Sequence, residues 1–315
     1  MPHDDGAASA SKPPLPDSSE AKQIQITFAE LLYRDPQAVI DKTRDNGGHV
    51  VLNADDLFKE WPEYAENPKS RRWLGAILYG VAKEFIDKAF AKLLEAEATS
   101  GTNVVFTAGG GASGKSTVLR AQADRPEVDF IVDTTFSRPD RAMGQIEAAL
   151  SADRQVEINY VYREFRSAVI GMVERALNPK VGRIVPIDDL ANTHFGAQET
   201  IFTTLQRYTD EPRVAFQLWE SLPGNRVKRL PLQTLADRQL PALDELQKQG
   251  QNILDEIFED ANRNPDGQWK GLSRDRSFYE AARSKTQKSV ASARLFDPDG
   301  YEKGEAGSEA PKGSA

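Results

Sequence analysis

The segment at residues 103–117 restricts the possible folds of this chain more than any other. The apolar run Asn103–Ala108 leads into three glycines, which are followed by Ala-Ser-Gly-Lys-Ser at residues 112–116. Residues 109–116 therefore fit the pattern G-x-x-x-x-G-K-[S/T], in which a buried strand passes through a glycine-rich turn into a helix. A strand, a turn and a helix in this order are typical of an α/β fold built on a parallel sheet.

Each part of this segment suits the binding of phosphate groups. Glycine tolerates the backbone conformations that turn several N–H groups toward one anion. Lys115 adds a positive charge, the Ser116 hydroxyl can ligate Mg²⁺, and the helix that begins near Lys115 directs its dipole at the same anion. We therefore predict ATP or GTP and Mg²⁺ as cofactors, bound by the phosphate loop: Gly109, Gly110, Gly111, Ala112, Ser113, Gly114, Lys115, Ser116 and Thr117.

Short apolar runs alternate with helical patterns along the chain. The runs have the length of strands and lie at residues 49–53, 103–108, 129–132, 157–162 and 213–219. The clearest helical pattern places apolar residues at spacings of three and four between Ile77 and Leu94. This alternation predicts a P-loop NTPase-type parallel sheet sandwiched by helices.

Composition and pattern divide the chain into four parts. Residues 1–22 and 298–315 have little to bury and are predicted to be disordered tails. Residues 23–225 are predicted to form a P-loop kinase-like domain, and residues 226–297 a helical C-terminal extension. A capping-box pattern at Thr27 and Glu30 predicts the start of the first helix.

The overall composition narrows the class of protein. A hydrophobic content of 39% and a charged content of 28% are ordinary for a soluble globular protein, and the net charge of −8 argues against a broad nucleic-acid-binding surface. The chain has no cysteine, which excludes disulfides and thiolate zinc sites. Its three histidines are too few and too scattered to suggest a histidine-rich metal site. No apolar run reaches the length of about 18 residues expected of a membrane span, so we expect a cytoplasmic protein without a membrane partner.

Two predicted strands run into acidic residues at the sheet edge where the phosphate loop is expected. Asp55 and Asp56 follow the strand at 49–53, and Asp133 follows the strand at 129–132. Parallel strands end at one edge of a sheet, so these acids are candidates for chemistry beside the loop. Acids in such positions also serve as helix caps or lie in solvated turns.

Together these segments resemble the zeta-toxin family of P-loop kinases. Residues 53–64 (NADDLFKEWPEY) resemble the family segment whose acid activates the substrate hydroxyl, and Asp55 is at the matching position. Residues 130–135 (FIVDTT) resemble the second acidic strand end, which implies that Asp133 binds Mg²⁺ or substrate. The closing strand of the family core is matched by residues 213–219.

The same resemblance extends to two arginine segments. Residues 171–175 (GMVER) and 182–186 (GRIVP) are similar to segments whose arginines contact the nucleotide phosphates, which implies this role for Arg175 and Arg183. Arg138 lies just past the second acidic strand end and is a candidate for contact with a phosphorylated substrate. His194 is interpreted as a helix-start or packing residue.

The resemblance covers about residues 48–220 and implies an ATP-dependent phosphotransferase. Asp55 would accept a proton from a substrate hydroxyl while Lys115, Arg175 and Arg183 hold the phosphate charge. The family substrate is a UDP-activated amino sugar, so the expected partners are a small-molecule hydroxyl acceptor such as a nucleotide-sugar and an inhibitor protein. In the family the loop precedes the acidic strand, whereas here Asp55 comes first, so the motif order is permuted.

Two other functions are compatible with a phosphate loop. A switch or remodelling ATPase would hydrolyse nucleotide to drive a protein partner, and a regulatory protein would bind nucleotide without turnover. A motor usually has a strand ending in an acidic pair after the loop, and the segment VDTT offers one acid there. An acid placed to receive a substrate hydroxyl favours the kinase.

Overall fold

The structure is a computed structural model that describes residues 18–67, 70–97, 102–121, 125–178, 184–270, 272 and 276–283. Both predicted terminal tails therefore lie mainly outside the described residues. Within the described ranges, no helix combines the length and the apolar character needed to cross a membrane.

A six-stranded sheet forms the centre of the molecule. Its strands pair in the order β1-β3-β2-β4-β5-β6; the first five of this order are parallel and the sixth is antiparallel. The bounds are β1 (Val50–Leu52), β2 (Asn103–Ala108), β3 (Val128–Asp133), β4 (Gln155–Tyr162), β5 (Val214–Leu222) and β6 (Arg226–Leu230). All five predicted strands are present, and the predicted α/β fold with a P-loop-type parallel sheet is confirmed.

Helices surround this sheet and connect its strands. Their bounds are α1 (Ser18–Arg34), α2 (Pro36–Lys42), α3 (Ala54–Leu57), α4 (Pro62–Glu66), α5 (Arg71–Glu95), α6 (Lys115–Ala121), α7 (Pro139–Ser151), α8 (Phe165–Leu177), α9 (Ile187–Arg207), α10 (Leu243–Arg263) and α11 (Arg276–Arg283). Short 3₁₀ helices lie at Phe58–Glu60 and Leu232–Arg238. In the long helix α5, most of the apolar residues of the predicted stripe are buried, namely Leu78, Val81, Phe85, Ala89 and Phe90.

Successive side chains of a strand point to opposite faces of the sheet, and both faces are covered. On one face, residues such as Val104, Phe106 and Phe130 pack against α5 and α7 in the largest hydrophobic cluster. On the other face, Val105 and its neighbours pack against Leu119 of α6. A third cluster lies between α8, α9, α10 and α11. Strands enclosed in this way explain the nearly continuous apolar runs in the sequence.

The structure differs from the sequence-based description at three places. Helix α1 begins at Ser18, so Thr27 lies inside it rather than at its start, and the tail predicted for residues 1–22 overlaps the helix. Strand β6 pairs with β5 across the turn at residues 223–225, so the domain boundary predicted after residue 225 falls inside a hairpin. Helices α10 and α11 share a core with α8 and α9.

We expect Phe106→Ala to destabilise the fold severely. Phe106 is fully buried, and its ring packs against those of Phe90 and Phe136 at centroid distances of 6.1 and 5.9 Å. Removing a buried aromatic ring costs about 3–5 kcal/mol, which urea titration would measure as a lower free energy of unfolding. Tyr79→Ala is the control, because Tyr79 is 52% exposed and its loss should change stability little. Equal effects of the two changes would contradict this description of the core.

Candidate functional site

The phosphate loop connects the carboxyl end of β2 to α6. Its backbone visits the left-handed region at three residues, with φ of 138° at Gly109, 56° at Ala112 and 97° at Gly114. A side chain at Gly109 would place its Cβ 2.6 Å from the Val161 carbonyl oxygen. This position therefore requires glycine both for its backbone angle and for the close approach of β4.

One cavity of about 430 Å³ brings together most of the residues singled out from the sequence. Its walls include the loop from Gly111 to Thr117, Asp55 after β1 and Asp133 at the end of β3. The volume lies within the range of about 300–1,000 Å³ that is usual for small-molecule sites. The carboxyl edge of the sheet therefore joins the loop to both acidic strand ends.

Asp133 is hydrogen-bonded to both neighbouring strands. Its Oδ1 accepts from Thr107 Oγ1 at 2.5 Å, and its Oδ2 accepts from Asn53 Nδ2 at 2.7 Å. Burial raises the pKa of this carboxyl group, while the charge of Lys115 and the bond from Thr107 act in the opposite direction. Each carboxylate oxygen keeps a second lone pair, so Asp133 can still ligate a cation at the edge of the sheet.

Asp55 and Asp56 differ although they are adjacent in the sequence. Asn53 caps the short helix α3 by accepting from the Asp55 N–H at 2.7 Å, and Asp55 lines the cavity. Asp56 instead pairs with Lys59 at 2.5 Å on the surface. The structure thus separates the two acids, with Asp55 on the cavity wall and Asp56 on the surface.

The Lys115 side chain folds along the phosphate loop. Its Nζ donates to the carbonyl oxygens of Gly109 at 2.9 Å and Gly110 at 3.1 Å. The ammonium group therefore lies beside the backbone that the motif assigns to the phosphates, close enough to Asp133 to influence its pKa. Its position agrees with a role in charge neutralisation at the loop.

Two buried polar atoms support the assignment of a polar ligand to this cavity. Ser113 Oγ and Arg163 Nε are buried and have no hydrogen-bond partner among the described residues, and both residues line the cavity. Buried polar atoms normally have partners, so unsatisfied ones beside a cavity indicate a ligand or water. For Mg²⁺, Ser116 and Asp133 provide oxygen ligands on the cavity wall, which suits a hard cation that also binds phosphate oxygens.

The three predicted arginines have different positions. Arg175, on the last turn of α8, lines the cavity. Arg138 is exposed and lines a neighbouring depression with Lys83 and Arg141, outside the walls of the loop cavity. Arg183 lies outside the described residues.

Sequence reasoning missed several side chains that contact the phosphate loop. Arg163 donates from its guanidinium to the Ala112 carbonyl oxygen at 2.9 Å. Thr193 Oγ1 accepts from the Gly111 N–H at 3.0 Å, and His194 Nε2 lies 2.8 Å from the Gly111 carbonyl oxygen. Arg163 directly follows β4, the strand beside the loop strand, so its position at a strand end was a signal that could have identified it.

His194 is buried and neutral in this arrangement. Burial lowers its pKa from 6.5 to about 4, opposed by the Gly111 hydrogen bond and assisted by the charges of Lys115 and Arg163. A carbonyl oxygen can only accept, so Nε2 carries the proton of the neutral ring. The interpretation of His194 as a packing residue is incomplete, because its ring also donates to the loop backbone.

We expect Lys115→Ala to weaken ATP binding by about 10- to 100-fold, because hydrogen bonds to a charged donor are worth about 1.5–3 kcal/mol. Calorimetric titration with Mg²⁺ and ATP would measure the change in the dissociation constant. Lys88→Ala is a matched control, since Lys88 is an exposed lysine paired with Glu84 on α5. Unchanged ATP affinity in Lys115→Ala would contradict the phosphate-loop assignment.

We expect His194 to make the protein less stable as the pH falls from about 6.5 to 4. The unfolded chain takes up a proton near pH 6.5, whereas the folded protein does so only near its pKa of about 4. The stabilisation is complete above pH 6.5, and about 3 kcal/mol of it is lost by pH 4. Urea unfolding at several pH values should show a flatter profile for His194→Phe than for the wild type. Parallel profiles would contradict the lowered pKa.

The comparison with protein families gives one match. The Zeta toxin family model matches residues 121–217, which confirms the resemblance seen in the sequence over that part of the chain. The match covers less than half of the 315 residues and begins after the phosphate loop, so β1, Asp55 and the loop lie outside it. A comparison with curated protein sequences gives no significant match.

Solved structures show a distant similarity. A native AvrRxo1-ORF1:-ORF2 complex matches at 13% identity and a TM-score of 0.38, over 74% of this chain and 92% of that chain. The AvrRxo1-ORF1:AvrRxo1-ORF2 structure with sulphate ions has the same identity and score over 68% and 87%. The structure with ATP has 13% identity and a TM-score of 0.36 over 74% and 92%. These TM-scores are too low to support an argument from the matched structures. The fold is therefore assigned from this chain's own sheet and helices.

Proposed function

We propose that this protein is an ATP-dependent phosphotransferase of the zeta-toxin type, which transfers the γ-phosphate to a hydroxyl group of a small molecule. The observation that carries the proposal is the shared cavity of Asp55 and the phosphate loop. A kinase needs a phosphate-binding backbone and a proton acceptor facing the same substrate space. The family match over residues 121–217 supports the same assignment.

Asp55 suits the role of general base better than Asp133. Both oxygens of Asp133 accept short hydrogen bonds from Thr107 and Asn53, which fits a structural or cation-binding role. Asp55 sits on the first turn of α3 and lines the cavity, where a substrate hydroxyl can approach it. In the proposed reaction, Asp55 accepts the hydroxyl proton as the oxygen attacks the γ-phosphorus, and the bond between the γ-phosphorus and the β,γ-bridging oxygen breaks to release ADP.

Cationic side chains around the cavity complete the proposed site. Lys115 from the loop and Arg175 from α8 would hold the phosphate charge, and Arg163 fixes the loop backbone through Ala112. Arg183 remains a proposed phosphate ligand on the basis of the family resemblance. Ser116 and Asp133 would hold Mg²⁺, which neutralises charge on the phosphate oxygens when it is bound.

The acceptor and the protein partner are part of the proposal. The cavity is also lined by Tyr79, Lys83 and Gln145, which offer an aromatic ring and polar groups to a small molecule. The family resemblance makes nucleotide-sugars the first acceptors to test, and it suggests an inhibitor protein as a partner. A cytoplasmic location is proposed on the same basis.

We expect Asp55→Asn to lose about 10²- to 10⁴-fold in phosphate transfer, the usual contribution of a general base, while ATP binds nearly as in the wild type. Asparagine keeps the size of the side chain and removes the basic carboxylate. ATP consumption would be measured with and without a panel of hydroxyl acceptors that includes nucleotide-sugars, and ATP affinity by calorimetry.

Asp56→Asn is the matched control, because it makes the same chemical change at an acid that lies on the surface and pairs with Lys59. It should retain most of the transfer activity. Full activity in Asp55→Asn would refute the proposed base. ATP hydrolysis that no acceptor accelerates would instead favour a switch or remodelling ATPase.

A further inference from the structure

Side chains from outside the phosphate loop hold its first half in place. Both backbone groups of Gly111 are engaged, the N–H by Thr193 Oγ1 at 3.0 Å and the carbonyl by His194 Nε2 at 2.8 Å. The next carbonyl, that of Ala112, accepts from Arg163 at 2.9 Å. Three polar groups of two adjacent loop residues are thus bound by residues that the loop motif does not contain.

Contact between α9 and the loop is unusually close. A Cβ atom at Gly110 would lie 2.1 Å from His194 Cδ2, and one at Gly111 would lie 2.9 Å from Leu190 Cδ1. Only glycine leaves room for the His194 ring against the backbone at residue 110. The middle glycines of the loop are therefore explained by the packing of α9, in addition to phosphate binding.

Behind His194 lies a second layer of contacts that reaches the C-terminal helices. The ring of Phe165 meets the His194 ring edge to face, at a centroid distance of 5.5 Å and an angle of 77°. Gly250 of α10 lies against this layer: a Cβ there would be 2.5 Å from Ile187 Cγ2 and 3.2 Å from Phe165 Cε1. Helix α10 thus packs directly on the side chain that supports His194.

We infer that Thr193 and His194 are positioning residues for nucleotide binding, and that α10 belongs to the same device because it supports His194 through Phe165. The inference rests on the proposed binding of ATP at the phosphate loop. It assigns a role to the C-terminal helices, which carry no recognisable motif.

The physical reason lies in the backbone angle of Ala112. A residue with a side chain is strained at a φ of 56°, and such strain persists only where the surrounding contacts maintain it. The bonds to Gly111 and Ala112 flank this angle on both sides. If these hydrogen bonds are removed, the loop can relax, and the N–H groups that follow Ala112 no longer converge on one anion.

The test compares isosteric variants of Thr193. Thr193→Val keeps the shape and removes the hydroxyl that accepts from Gly111 and donates to the Leu190 carbonyl oxygen at 2.9 Å. It should weaken the binding of Mg²⁺ and ATP by about 5- to 50-fold, because the partly buried Gly111 N–H loses its partner. Thr193→Ser restores the hydroxyl and should recover most of the affinity. Dissociation constants are measured by calorimetry at a temperature at which circular dichroism shows every variant fully folded.

Two further variants examine the layers behind the loop. His194→Phe keeps an aromatic ring against Phe165 and removes the donor to Gly111, so it should also weaken ATP binding by about 5- to 50-fold. Gly250→Ala should weaken it by about 2- to 30-fold through displacement of Phe165. Gly80→Ala is the matched control, because the same change in α5 meets no atom within 4 Å. In a His194→Phe background, Gly250→Ala should have a smaller effect, since it acts through His194.

The outcomes separate this inference from the proposed function. The inference is supported if ATP binding is weakened in folded Thr193→Val, recovered in Thr193→Ser and normal in Gly80→Ala. The inference is refuted if the wild type binds ATP and the Thr193→Val and His194→Phe variants bind it with unchanged affinity. The proposed function is then left intact. A wild-type protein that binds no ATP refutes the proposed function and this inference with it.

Discussion

The parallel pairing of β1, β3 and β2 is the constraint on which the candidate site depends. It sets Leu52 beside Val132 and Thr107 beside Asp133, so three strands reach the same edge in register. The Asp133 carboxylate then connects the three strand ends, because it accepts hydrogen bonds from Thr107 on one side and from Asn53 on the other. A slip of one residue would move each side chain to the opposite face and separate the acids from the loop.

Chain order matters less to this site than strand order. The strand before Asp55 precedes the loop in the sequence, yet it lies in the same sheet, with only β3 between it and β2. A parallel sheet presents the ends of all its strands at one edge, whatever the order in which the chain visits them. The permuted order of the motifs is therefore compatible with a cavity in which Asp55 faces the loop.

The sequence predicts those parts of the structure that are encoded locally. The apolar runs, the glycine pattern and the acids at strand ends each depend on a few neighbouring residues, and they predict the five parallel strands and Asp55 beside the loop. The contacts of His194 and Thr193 with Gly111 are not legible in this way, because they join residues 82 and 83 positions apart. Arg138 is near Asp133 in sequence, but the chain turns at Phe136, where φ is 57°, and Arg138 lies at the N-cap position of α7, outside the walls of the loop cavity.

The C-terminal helices show why a region without motifs can still matter to a site. Helix α10 offers the loop no polar side chain; its buried face consists of apolar residues and Gly250, packed on α8 and α9. A phosphate loop needs a backbone shape that its own residues do not favour, since Ala112 is held at a positive φ. Such a shape persists only where surrounding contacts maintain it, and here these contacts include the ring of His194, which Phe165 supports from behind. Apolar packing several layers away can therefore determine how well a polar ligand is bound.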